Sequence, residues 1–107
     1  MEQSTAAILS ELRKGLAHVY GRQLKDVILF GSYARGEQRE GSDLDVAMIL
    51  SDFERPWPEI QRTGHLVSEL SLRHGITISL IPVRERALRA RGSPLARHIA
   101  REGTAAQ

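Results

Sequence analysis

Val27-Ile28-Leu29-Phe30-Gly31-Ser32-Tyr33-Ala34-Arg35-Gly36, then Glu37 to Ser42, then Asp43-Leu44-Asp45-Val46-Ala47-Met48-Ile49-Leu50 is the stretch that decides the fold. Val27 to Phe30 is a continuous apolar run bounded by Asp26 and Gly31, which suits a strand buried on both faces. Gly31 lets the backbone turn sharply and approach a ligand with no Cβ in the way. Ser32 is the candidate N-cap of a short turn, Tyr33-Ala34-Arg35, that Gly36 ends. Such a turn offers backbone N–H groups and a hydroxyl to a phosphate oxygen. Gly41-Ser42 then breaks the chain and starts a second strand, Leu44 to Leu50. Side chains alternate along a strand, so Asp43 and Asp45 share one face while Leu44 and Val46 take the other.

Two adjacent carboxylates repel unless a cation lies between them. Their oxygens are hard ligands that suit Mg²⁺ or Mn²⁺, ions that keep waters and accept further oxygens from phosphates. A Gly-Ser turn alone is an ordinary turn, and Asp-x-Asp alone is an ordinary strand end. The joint pattern, with ten residues between Ser32 and Asp43, is more specific.

Gly-Ser-Tyr-Ala-Arg-Gly followed by Gly-Ser-Asp-Leu-Asp-Val resembles the core motif of the minimal nucleotidyltransferases, small members of the DNA polymerase beta superfamily. The resemblance covers roughly Ile8 to Gly103. It implies that Gly31 and Ser32 contact the phosphates of a nucleoside triphosphate, ATP in particular. It implies that Asp43 and Asp45 are the catalytic residues and metal ligands, with Mg²⁺ or Mn²⁺ as the cofactor. The family transfers a nucleoside monophosphate to a hydroxyl and releases pyrophosphate. Its members often pair with a small helical protein of the HEPN class as a toxin–antitoxin system, in which the transferase attaches AMP to its partner.

One position departs from that pattern. Sites of this kind usually carry a third carboxylate on the following strand, and here Ser79 stands in its place. Serine is a weak metal ligand and no base at neutral pH without help. The site either transfers slowly with a water or phosphate taking the proton, or recruits Glu69 or Glu85, or has become a binding module without catalysis. Arg35 also has two readings, an ion pair with Asp43 or Glu37 and a triphosphate contact.

The chain has 107 residues, 41% hydrophobic and 26% charged, which predicts a single soluble domain over residues 1–107. No apolar run approaches a membrane span, the N-terminus lacks the pattern of a secretory signal, and there is no cysteine, so a cytoplasmic protein without membrane contact is expected. Net charge is +2, which does not by itself imply nucleic-acid binding. Arg84, Arg86, Arg89, Arg91, Arg97 and Arg101 crowd the last quarter, either as a solvated helix face or as a surface for triphosphate, RNA or an acidic partner. His18, His65, His74 and His98 lack metal-ligand spacing and are expected to face solvent or a partner. Homo-oligomers remain open.

Around the motif, the 3.6-residue period predicts a first helix from a Ser4 cap to about Gly21 with Ile8, Leu9, Leu12, Leu16 and Val19 inward. A second begins at Arg55-Pro56-Trp57-Pro58 and ends at Gly75, with Ile60, Leu66, Val67, Leu70 and Leu72 inward and Trp57 capping the core. Ile76 to Ile81 reads as a third strand closed by Pro82. Ser93-Pro94 starts a last helix with Leu95 and Ile99 inward, ending near Gly103 before a frayed tail from Thr104. The fold class is α/β (α+β), a small mixed sheet of three strands, with a possible fourth, packed with helices.

Overall fold

Leu44–Leu50 (β2) is the strand on which everything else is laid, and six of its seven residues are buried. A computed structural model describes residues 3–90, 92–102 and 104–105, with the side chains of 3, 4, 98 and 100–105 left out of the description. β2 pairs antiparallel with Leu24–Phe30 (β1) and parallel with Ile78–Arg84 (β3). Thr104–Ala105 (β4) adds two residues antiparallel to the outer edge of β1, giving the order β3-β2-β1-β4. The sheet is mixed, as the sequence predicts. The fourth strand that the pattern could not place lies in the stretch expected to fray; Gly103, Ala106 and Gln107 are outside the described residues.

Alternation along β2 explains why its run is apolar apart from Asp45. Leu44, Val46, Met48 and Leu50 face a core built with Ile8, Leu9, Leu12, Leu16 and Tyr20 of Gln3–Tyr20 (α1) and Leu70 of Pro56–His74 (α3). Ala47 and Ile49 face the other way, onto Val83 and Ile99 of Pro94–Glu102 (α5). A strand covered on both sides has no solvent face to mark with polar residues. α3 is the crossover that a parallel β2–β3 pair requires.

Helix boundaries follow local chemistry. α3 opens with Pro56 and closes at Gly75, whose φ of 64° is left-handed and whose N–H donates to the Ser71 carbonyl. Ser93 Oγ caps α5 by accepting from the Ala96 N–H at 3.1 Å. α1 starts at Gln3, so Ser4 lies inside its first turn, and a 3₁₀ turn, Gly21–Gln23, follows it. Glu85–Ala90 (α4) has no counterpart in the sequence reading, being too short to show a period.

Several inward assignments are overturned. Val19 is 42% exposed, Leu72 85%, Leu95 44% and Trp57 63%. In each helix the buried stripe is narrower than the run of apolar residues: Tyr20, four residues after Leu16, takes the place expected for Val19. Trp57, in the first turn of α3, stands out in solvent rather than over the core. Pro82 does not end the third strand but sits within it, paired in register with Met48. β3 is an edge strand, where a residue without an N–H costs no ladder bond on the open side.

The α1–α3 contact is partly polar. Buried Glu59 accepts from the Tyr20 hydroxyl at 2.9 Å and pairs with Arg62 at 3.2 Å. Burial, then the hydrogen bond to Glu59, pushes the Tyr20 phenol well above its ordinary range, so it remains a donor. At the other end His74 is half-buried, against expectation, with Nε2 2.6 Å from Glu11 Oε2; Arg73 reaches Glu11 at 3.1 Å and Glu69 at 2.7 Å. His18 and His65 are exposed as expected, and the side chain of His98 lies outside the described residues.

Leu16→Ala should cost about 2–5 kcal/mol in a urea unfolding curve, while Leu72→Ala should change stability by less than about 0.5 kcal/mol. The hydrogen bond from His74, opposed by burial and aided by the charge of Arg73, holds the Glu11 carboxyl below the ordinary carboxylate range. A depressed carboxylate stabilises the fold above its unfolded-state value and loses that contribution as pH falls through the folded one. Thermal unfolding should therefore show a melting temperature that drops on the acid side, and Glu11→Gln should flatten that drop.

Candidate active site at the Gly31 bend

β1 ends at Phe30, which lies opposite Asp45 in the antiparallel ladder. The next residue must turn directly over that carboxylate. Gly31 does so with φ 75° and ψ −155°, a region that only glycine visits without strain. A Cβ built there would run into Asp45 Oδ2 and lie 3.2 Å from its Cγ. The bend and the acid are thus in contact through the missing side chain.

Ser32–Arg35 (α2) is a single turn, with the Ala34 and Arg35 N–H groups donating to the Gly31 carbonyl at 3.1 and 3.2 Å. Gly31, not Ser32, is its N-cap residue; Ser32 is its first helical residue and makes no capping hydrogen bond. The difference of one residue arises because the positive φ at Gly31 already brings the chain into the turn. One turn sums few peptide dipoles, so the Ser32 hydroxyl and the adjacent amides are what the bend presents to an anion. Gly36, at φ 70°, closes α2 as the sequence predicts.

Asp45 is half-buried inside β2, and Asp43 is exposed, one residue before the strand begins. The Leu44 N–H donates to the Thr77 carbonyl at 2.9 Å, tying the start of β2 to the segment that leads into β3. Ser79 lies beside Asp45 in the parallel register, where the sequence places it. Arg35 Nε lies 3.3 Å from Glu37, one of the ion pairs the sequence offers it. Among the described residues no group of three His, Cys, Asp or Glu converges on a metal position. Asp43 and Asp45 still fit a hard divalent cation by their chemistry: they supply two carboxylates two residues apart, and Mg²⁺ or Mn²⁺ would complete its shell with waters and phosphate oxygens.

Nothing in the sequence marks the cavity of about 350 Å³ that opens behind the loop before Asp43, lined by Thr5, Tyr33, Arg39, Ser42, His74 and Thr77. Its walls come from four separated segments, so no local pattern signals it. Three of the C-terminal arginines pair with acidic neighbours. Arg84 lies 3.3 Å from Asp52, donates to the Phe53 and Glu54 carbonyls and stacks on the Phe53 ring at 4.5 Å. Arg86 reaches Asp52 at 3.5 Å and Arg89 reaches Glu85 at 3.4 Å. Arg91 and the side chain of Arg101 lie outside the described residues.

A family model for the nucleotidyltransferase domain matches residues 9–93. The chain belongs to the nucleotidyltransferase family. The match spans β1, the bend, β2 and β3 and stops at Ser93, short of the Gly103 boundary expected from the resemblance. A Methanocaldococcus jannaschii protein provisionally named a protein adenylyltransferase is 38% identical over 74 residues, which is 69% of this chain and 74% of that one. The fold is shared with a toxin–antitoxin crystal structure containing AMP-PNP, at TM-score 0.66 and 22% identity over 92% of this chain and 72% of that one. It is also shared with a structure of a tri-AMPylated Shewanella oneidensis HEPN toxin in complex with an MNT antitoxin, at TM-score 0.61 and 17% identity over 96% and 71% of the two chains. This nucleotidyltransferase is therefore a transferase enzyme.

Gly31→Ala should destabilise the fold by about 1–3 kcal/mol, from backbone strain plus displacement of Asp45. Gly36→Ala, where the space around a Cβ is open, should cost about 1 kcal/mol. Chemical denaturation of the two variants against wild type checks the order.

Proposed function

We propose that residues 1–107 act as one domain that transfers AMP from ATP to a hydroxyl of a partner protein, as the antitoxin-type member of a two-protein system whose other member is a small helical HEPN-class protein. The observation that carries this reading is Asp45 seated against the bare Cα of Gly31, next to Ser32, in a chain of the nucleotidyltransferase family. Support for the acceptor and the partner comes from the relative named a protein adenylyltransferase and from the structural neighbours assembled with toxins. The absence of any helix long and apolar enough to cross a membrane, among the described residues, fits the cytoplasmic location proposed with it.

In this reading the Ser32 hydroxyl and the amides of the bend hold the β- and γ-phosphates. Asp43 and Asp45 hold Mg²⁺ or Mn²⁺, which when bound neutralises phosphate charge and fixes the reacting phosphate. Arg35 exchanges Glu37 for the triphosphate. The acceptor hydroxyl gives its proton to a water or a phosphate oxygen and attacks the α-phosphorus in line; the new O–P bond forms, and pyrophosphate departs with the electrons of the broken bond. Positioning and charge neutralisation carry most of the barrier reduction.

A second reading, a nucleotide- and partner-binding module without turnover, is favoured by one observation: a serine rather than an acid beside Asp45. The two separate when the protein and a HEPN-class partner are incubated with α-labelled ATP and Mg²⁺. Label should pass to the partner, and Asp45→Asn and Asp43→Asn should each reduce it on the order of 10²-fold or more while partner binding persists. Binding of both ATP and partner with no transfer by wild type would establish the module instead.

A further inference from the structure

The cavity of about 350 Å³ behind the loop before Asp43 is a second concave site, and the transfer reaction proposed above makes no use of it. It opens on the sheet face opposite the Gly31 bend. Ile8 and Tyr33, which line it, belong with Leu44 and Val46 to the core under α1, whereas Phe30, the ladder partner of Asp45, packs with Ala47 and Ile49 on the other side. Its volume is that of a small-molecule pocket. At ~30 Å³ for each water-sized group it has room for roughly ten to twelve non-hydrogen atoms.

Two features of the lining call for a ligand. Thr5 is only 3% exposed, yet its hydroxyl has no hydrogen-bond partner among the described residues. A buried hydroxyl left unpaired costs stability, and here the cavity is the side from which a partner can come. Arg39 and Glu40 are both exposed and both line the cavity, and among the described residues neither forms an ion pair, with the other or elsewhere. His74, the other basic side chain of the lining, is already closed on Glu11 at 2.6 Å.

The lining therefore offers one free cation and one free anion. A phosphate or dicarboxylate would set like charge against Glu40, and a diamine would set it against Arg39. A zwitterion satisfies both: the Arg39 guanidinium donates to its carboxylate, and Glu40 accepts from its ammonium. Buried Ile8 and half-buried Ile76 supply an apolar wall for methylene groups, and the Thr5 hydroxyl a partner for a polar group at the chain end. We propose that this cavity is a binding site for a free α-amino acid with an uncharged polar side chain, of the size of glutamine, held by Arg39, Glu40 and Thr5.

Occupancy would also brace the approach to Asp43. The Arg39 N–H donates to Ser42 Oγ at 2.8 Å and the Ser42 N–H to the Arg39 carbonyl at 2.9 Å, so these residues form the turn that delivers Asp43. A ligand on Thr5 and Arg39 joins that turn to α1.

The test is an NMR titration of the isotope-labelled full chain with L-glutamine, without nucleotide or metal, so that its outcome does not depend on the transfer reading. The Glu40, Ser42 and Thr77 amide signals should shift with a Kd of roughly 1 mM or tighter, as suits a ligand of about ten atoms. L-Leucine, which lacks the polar end, and N-acetyl-L-glutamine, which lacks the ammonium, should each bind at least about 10-fold more weakly. Arg39→Gln and Glu40→Gln, on the exposed loop, should each weaken L-glutamine by about 10-fold or more, and Thr5→Val should erase its preference over L-leucine. No shifts with L-glutamine at about 20 mM, a cavity that holds water only, overturns the proposal. So does binding that neither charge variant weakens, a folded Thr5→Val protein with the preference intact, or binding of inorganic phosphate or N-acetyl-L-glutamine as tight as that of L-glutamine.

Discussion

The contact between the Asp45 carboxylate and the bare Cα of Gly31 is the constraint around which this molecule is arranged. Antiparallel pairing puts Phe30 across from Asp45, and the chain leaving Phe30 has to cross over the acid. A Cβ at position 31 would occupy the space of Asp45 Oδ2. The same left-handed turn that avoids the clash starts α2 and brings Ser32 to the rim. The polyphosphate site and the cation site proposed above are therefore one local geometry, set by the register of two strands. The buried length of β2 keeps that register: Leu44, Val46 and Met48 on one face and Ala47 and Ile49 on the other are locked by helices from both sides. A slip of one residue would reverse all of them.

The elements most legible in the sequence are those whose signal is local. β2 is read to the residue because Asp43 and Ser51 bound a run that is apolar but for Asp45, and the Ser93 cap is read because its partner lies three residues away. The same holds for the site: glycine followed by serine, and alternating acids, are statements about neighbours in sequence. What escapes is set by tertiary context. Val19 and Leu72 are apolar yet exposed, since α1 and α3 each offer the sheet only a narrow stripe and period alone does not say where it stops. Glu59 is charged yet buried, since its partner Tyr20 lies 39 residues away. β4 is two residues of Thr-Ala, held by pairing to Ile28 and Leu29, with no pattern of its own.

Edge position explains the misread third strand. A proline in a central strand would forfeit a ladder bond, which is why Pro82 reads as a terminator. In the order β3-β2-β1-β4 the strand has one free side, and the chain continues past Pro82 to Arg84. That extension has a consequence for charge. It carries Arg84 to the end of the sheet remote from Ser79, where the loop after β2 waits with Asp52 and the carbonyls of Phe53 and Glu54.

Three arginines of the basic last quarter pair within the fold. Arg84 and Arg86 share Asp52, and Arg89 pairs with Glu85 one turn away on α4. Arg84 also closes the β3 end by stacking on Phe53. These contacts are partly exposed and each stabilises little on its own, but together they fix arginines that would otherwise present a diffuse positive surface. A polyphosphate arriving at the Gly31 bend meets that end of the sheet five residues away along β3, roughly 16 Å at strand rise. At physiological ionic strength charges separated by more than about 8 Å are strongly screened when exposed. In the reading proposed above, positive charge for a triphosphate is supplied within the site, by a cation that Asp43 and Asp45 would hold.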